Sequence, residues 1–279
     1  MKIIKWMTGM LLLNLGITTA AYAQFPFFGD AKKPTGKIRA FTESCYETST
    51  GHQVLVQKER FVYNDQGQLI LQTIYDTIDS NKVSYTRKYV YDGKQLLEEL
   101  AEGQFNVRYL YDAEGNKIAR KYTADTLSYL DRYEYDEKNV LTLRNRYNDE
   151  GELTARELYT YNGQRQLIRK SYLDHDSASN SKTISYSYES SSSSDVSQER
   201  VYAPNGKNLY SIGYFYGMQL DLTEQSRYSA GGNLDWRKTY NYQYDKAENW
   251  ILMQAKITGG AFLVKRGSFL TRREIEYRK

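Results

Sequence analysis

Asp174-His175-Asp176 sets two carboxylates around a histidine, the arrangement that a metal site or a proton relay would use. The segment falls between a strand pattern ending at Tyr172 and a polar stretch beginning at Ser177, and no serine-nucleophile motif accompanies it, so it reads as a solvated loop. His52, beside Gly51, reads as a hairpin residue, and two histidines with one cysteine leave too few ligands for a zinc site of the usual kind. Glu98 and Glu99 are adjacent, so a strand points them to opposite faces and they cannot share a substrate as paired glycosidase carboxylates do. Cys45 stands near Glu43 and Glu47, which would raise its thiol pKa, and reads as a small buried hydrophobe. No phosphate-binding glycine loop, cysteine pair or zinc-protease helix motif is present. Trp236 and Trp250 are the rings best placed to lie off the core and stack on a sugar. The sequence assigns no catalytic residue, metal ligand, ligand-binding residue or cofactor, and the expectation is a non-enzyme.

The elements that would position such residues follow from an internal repeat. Its unit is an aromatic, any residue, a tyrosine and then usually Asp or Asn: Phe61-Val62-Tyr63-Asn64, Tyr89-Val90-Tyr91-Asp92, Tyr109-Leu110-Tyr111-Asp112, Tyr133-Glu134-Tyr135-Asp136, Tyr159-Thr160-Tyr161-Asn162, Tyr186-Ser187-Tyr188-Glu189, Tyr214-Phe215-Tyr216-Gly217 and Tyr242-Gln243-Tyr244-Asp245, with a degenerate copy at Ile275-Glu276-Tyr277. Turn residues and then an aliphatic follow most copies, as in Ala113-Glu114-Gly115-Asn116-Lys117-Ile118, because Asp, Asn and Gly tolerate the left-handed backbone of tight hairpins. Asp92, Asp112, Asp136 and Asp245 share one point of the unit and therefore read as turn formers, not general acids. Second reversals, such as Asn148-Asp149-Glu150-Gly151 and Pro204-Asn205-Gly206, make each unit two strands and two turns.

Alternation has a period of two. Phe105, Val107, Tyr109 and Tyr111 share one face, and Asn106, Arg108, Leu110 and Asp112 take the other. The predicted fold is all-β: a long antiparallel meander of repeated hairpins, about sixteen to eighteen strands, curled or spiralled into an open or tube-like sheet with tyrosines stacked in cross-strand ladders. Composition agrees. The chain carries 28 tyrosines and 40% apolar residues, of which Leu, Ile, Val and Phe are only about a fifth of the chain, so the rings must serve as the core. A mean hydropathy of −0.72 excludes a multispan helical membrane protein, and a net charge of +4 gives no electrostatic case for nucleic acid.

Residues 1–23 read as a secretory signal peptide: Lys2 and Lys5, an apolar stretch from Met7 to Ile17, then Ala21-Tyr22-Ala23 ahead of Gln24. No transmembrane anchor is expected after cleavage. Residues 24–36 read as a linker and 37–279 as a single repeat domain, with a loop at the serine run 190–194. The address is the periplasm, the cell surface or the medium.

The pattern clearest at Tyr111-Asp112-Ala113-Glu114-Gly115-Asn116 resembles the YD repeats of the Rhs family of secreted envelope proteins, over residues 37–279. Gly151-Glu152-Leu153 and similar turns resemble MORN-type repeats, the second family. The Rhs resemblance implies a β-repeat architecture with surface or carbohydrate contact and no catalytic residues. Its role as a shell around a toxin domain is not expected of a chain this short. Asp76-Thr77-Ile78, Asp125-Thr126-Leu127 and Asp176-Ser177-Ala178 resemble an O-glycosylation triplet of some Gram-negative envelopes. The functional expectation is a non-enzymatic exported scaffold of the envelope that binds a protein or glycan through its extended sheet. The alternatives are an outer-membrane β-barrel, whose strands alternate in the same way, and a carbohydrate-active enzyme. Against the membrane barrel, the repeated face is tyrosine and not aliphatic, and Tyr277-Arg278-Lys279 lacks a terminal aromatic.

Overall fold

The computed structural model describes residues 34–49, 52–190, 193–259 and 267–278. The signal-peptide reading and residues 24–33 of the linker lie outside them. Eighteen strands follow one another: β1 (Ile38–Ser49), β2 (His52–Tyr63), β3 (Leu69–Tyr75), β4 (Val83–Asp92), β5 (Gln95–Ala101), β6 (Phe105–Tyr111), β7 (Lys117–Ala124), β8 (Ser128–Tyr135) and β9 (Leu141–Tyr147) form the first half. The second half is β10 (Leu153–Tyr161), β11 (Leu167–Asp174), β12 (Lys182–Tyr188), β13 (Val196–Tyr202), β14 (Asn208–Tyr216), β15 (Leu222–Ser229), β16 (Leu234–Tyr244), β17 (Trp250–Gly259) and β18 (Gly267–Tyr277). The only helical turn among the described residues is a 3-10 turn at Ala178–Asn180. All-β is thus the observed class.

Each strand pairs antiparallel with its neighbours in sequence, and β1 pairs with both β2 and β18. The meander is a closed barrel. This corrects the expectation of an open or spiral sheet: β18 runs beside β1 from Ile38↔Tyr277 to Thr48↔Ser268, and every strand has a partner on each side. An open meander would leave two rows of unpaired peptide groups, which closure removes. The seam was hidden in the sequence because neither β1 nor β18 carries a full copy of the tyrosine unit. Side chains reinforce it. Arg273 Nε donates to Glu43 at 2.9 Å, and Arg278 donates through Nη2 to the Tyr63 carbonyl at 2.6 Å. Buried Asn249 accepts from the Thr35 backbone at 2.6 Å and donates to the Tyr277 hydroxyl at 2.8 Å.

The repeat has a structural meaning at both ends of its tyrosine pair. After the pair, a five-residue turn closes on the Asp or Asn. In Asp112–Asn116 the Asp112 amide donates to the Asn116 carbonyl, Gly115 donates back to the Asp112 carbonyl, and Asn116 donates to the carboxylate at 2.7 Å. The fourth residue of the turn takes a positive φ, 88° at Gly115, yet Asn139, Arg165, Leu220 and Glu248 hold the same place. The second tyrosine reaches back along the preceding strand. Tyr111, Tyr135, Tyr188 and Tyr216 donate to the carbonyls of Leu96, Lys117, Leu167 and Val196 at 2.8–3.1 Å. The hydroxyl is thereby satisfied while the ring stays half-buried, which explains why tyrosine and not phenylalanine recurs there. Tyr188→Phe, which removes one such bond and leaves the ring, should lower unfolding free energy by about 1 kcal/mol in urea denaturation, with the strand spectrum unchanged.

Candidate functional site

In a closed cylinder, side chains on the concave wall converge and those on the convex wall splay. Along β6, Phe105 and Val107 are 9% and 1% exposed, whereas Leu110 is 61% exposed and the Arg108 side chain 71%. The tyrosine face is therefore the lumen. Among the described residues, backbones approach closely only between strands adjacent around the ring.

The lumen wall carries more than tyrosine. The residue two positions before the first ring of each pair also points inward: Arg87, Val107, Asp131 and Glu157 occupy that place. Asp131 is fully buried and takes a bidentate ion pair from Arg146, at 2.8 and 3.1 Å, with Arg120 at 3.4 Å. Arg146 and Arg120 also lie over the Tyr129 ring, at 4.0 and 5.6 Å from its centroid. Glu157 pairs with Arg144 at 2.8 Å and Lys170 at 2.9 Å and accepts the Tyr159 hydroxyl. These charges were missed in the sequence, although the period of two placed them on the tyrosine face; what the sequence could not supply was their ion-pair partners on the neighbouring strands.

The expected tyrosine ladders are present in part. Tyr122 stacks between Phe105 and Tyr129 at 5.7 and 5.0 Å, and Phe41 stacks on Phe61 at 4.6 Å. Elsewhere a strand bearing cations separates successive tyrosine pairs. Lys117 sits 5.6 Å from the Tyr109 ring and 4.5 Å from the Tyr133 ring. Burial pushes the hydroxyls of Tyr89 and Tyr133 up to about 12. Their folded pKa lies above the unfolded value, so their stabilisation is complete below pH 10 and lost as pH rises through 12. Spectrophotometric titration should hold back a fraction of the phenolate absorbance until the strand circular-dichroism signal is lost.

The single residues proposed for chemistry are scattered. His52 is exposed on β2, and exposed His175 lies in the β11–β12 connection, where its amide donates to the Thr154 carbonyl. Glu98 pairs with Arg108 on the outer wall at 2.9 Å, while Glu99 accepts the Tyr109 hydroxyl inside, as adjacency required. Cys45 is buried and its thiol is raised, chiefly by burial. The placement of Trp236 and Trp250 is corrected: both are buried, 4% and 5% exposed, Trp236 because alternation puts it on the tyrosine face of β16 and Trp250 because the bulge at the start of β17 pairs it with Tyr244, with Arg273 3.4 Å above the Trp250 ring. No cluster of metal ligands occurs among the described residues.

The outer wall is mixed, since Val90, Leu110, Leu158 and Phe215 are exposed at outward positions beside its charged residues. Lys88, Lys121, Arg132, Arg169, Lys256 and Arg272 stand exposed at outward positions of six strands. Long arms cover small polar residues there, as Arg237 does with Ser226, which it meets at 3.2 Å. Exposed aliphatics form a row near one end, where a bulge after each tyrosine turn turns out Ile70, Leu97, Ile118 and Ile168. A recess of about 540 Å³ lies at the opposite end, beneath the β5–β6 hairpin, between Lys88, Leu100, Gln104 and Asp125.

No protein-family model matches the chain, so neither the YD-repeat nor the MORN resemblance gains support from one, and no curated protein matches it. Among solved structures, the chain is similar to a porin-like protein from Bacteroides uniformis, at 12% identity over 86% of this chain and 96% of that one, with a TM-score of 0.49. A porin-like protein from Bacteroides vulgatus follows at 10% identity over 84% and 97%, TM-score 0.23. A TcdB2-TccC3-TEV structure matches at 15% identity over 74% of this chain and 14% of that one, TM-score 0.37. At these scores the likenesses carry no argument about activity, and the reading below rests on the barrel itself.

Asp131→Asn removes the counter-charge of Arg146 and should cost about 3–5 kcal/mol of stability by chemical denaturation, because it strands a buried guanidinium. An Asp131→Leu, Arg146→Met pair should recover most of that loss.

Proposed function

We propose that the chain is an exported β-barrel of the cell envelope whose lumen is the working surface, taking hydrophilic solutes such as saccharides. The observation that carries this is closure: with β1 joined to β2 and β18, the tyrosines and paired charges line an interior. Closure favours the outer-membrane β-barrel alternative over the exported scaffold, since among the described residues the sheet has no free edge or open aromatic face to offer a partner. Rings flanked by hydrogen-bonding side chains, as Tyr109 is by Glu99 and Tyr159 by Glu157, suit the apolar faces and hydroxyl edges of sugars.

Within the barrel reading, the outer wall argues for water on both sides. An Arg or Lys facing lipid costs roughly 2–4 kcal/mol at the bilayer midplane, and the outward cations recur on strand after strand. The second reading is a lipid-embedded outer-membrane pore, which closure favours because barrels of about 16–18 strands leave an aqueous channel. No helix of the described residues is long and apolar enough to cross a membrane, which says nothing of strands.

Envelope fractionation, planar-bilayer conductance and a glycan-retention assay separate the readings. The expected result is recovery without detergent, no conductance, and retention of saccharides by the full chain that Tyr133→Ala abolishes. Detergent-dependent extraction with stable conductance would install the pore instead. Detergent-free protein that retains no saccharide would overturn the lumen reading.

A further inference from the structure

On the lumen face of β15 and β16, two buried hydrogen-bond donors stand without acceptors among the described residues, beside an arginine. Lys238 is 4% exposed and, among the described residues, has no ion-pair or hydrogen-bond partner; its ammonium lies 4.8 Å from the Trp236 ring centroid. The Trp236 indole N–H is buried without a hydrogen-bond partner, while neighbouring Arg227 ion-pairs through Nε with Asp235 at 3.5 Å and lies 4.1 Å over the Tyr210 ring. Register brings them together. Arg227 pairs with Trp236 and Gln225 with Lys238, so the lysine is diagonal to the arginine.

The groups packed around Lys238 do not supply a counter-charge. From β15 the inward neighbours are Gln225 and Arg227, and from β17 they are Ile257 and Ala255. Asp235 lies 3.5 Å from Arg227 and serves that guanidinium, while Glu224 and Lys256 belong to the outer wall. A buried ammonium without a partner is costly, and the cost here is visible: burial alone lowers the Lys238 pKa to about 8. The buried Arg146, by contrast, is answered by Asp131.

We propose that Lys238, Trp236 and Arg227 form a lumen site for an oxyanion, the carboxylate or phosphate of an acidic saccharide. Two buried donors without acceptors, with a guanidinium diagonal to the lysine on the neighbouring strand, match a group that only accepts. The site rests on the lumen being the working surface, and names the charged part of what it takes. Anion binding restores the missing counter-charge, so binding above pH 8 takes up a proton and weakens as pH rises.

Calorimetric titration of the full chain with glucuronate, glucose phosphate and glucose tests the site. An acidic sugar should bind more tightly than glucose, and glucose binding as tightly as both acidic sugars overturns the site; whichever of the two acidic sugars binds more tightly identifies carboxylate or phosphate as the source. Lys238→Met, which keeps the stem and removes the charge, should weaken binding by roughly 10- to 100-fold, the range of one charge-assisted hydrogen bond. Trp236→Phe should weaken it severalfold while retaining the ring, and Lys256→Met on the outer wall should leave it unchanged. Equal affinity in wild type and Lys238→Met overturns the site. Failure of both acidic sugars, with neutral saccharides still retained through Tyr133, overturns the site alone; loss of all saccharide retention overturns the lumen reading beneath it.

Discussion

Peptide groups along the edge of a sheet must find partners, and the pairing of β18 with β1 meets that demand for the whole molecule. Once the ring is shut, the two faces of every strand cease to be equivalent. The convex wall spreads its side chains into water. The concave wall gathers rings, methyl groups and charges, so that Asp131 becomes fully buried on a strand of eight residues. The lumen and its ion pairs are consequences of closure more than of any single strand.

Much of this was legible in the chain. The tyrosine pairs, the Asp and Asn turns and the period of two gave strand positions, hairpin ends and the shared face of Phe105, Val107, Tyr109 and Tyr111. The alternation also held the lumen charges, since Asp131 and Glu157 stand two residues before Tyr133 and Tyr159. What it could not give was curvature. Whether Trp236 faces water or a crowded interior depends on which way the sheet bends, and that is decided by the seam between two strands without the tyrosine unit.

The interior is also uneven. Around Asp131 and Glu157, charges of opposite sign are held within about 3 Å of one another, which satisfies both. Across the ring at β15 and β16 the donors outnumber the acceptors, and the wall there has an unspent capacity to accept a charge from outside.

The seam has one more consequence. The Arg278 amide donates to the Lys37 carbonyl at 2.8 Å, so the first and last strands end side by side at one rim. A ring whose neighbours in space are all neighbours in sequence has no privileged first strand. A short linker across that rim would let an exposed turn, such as 203–207, serve as a new pair of termini.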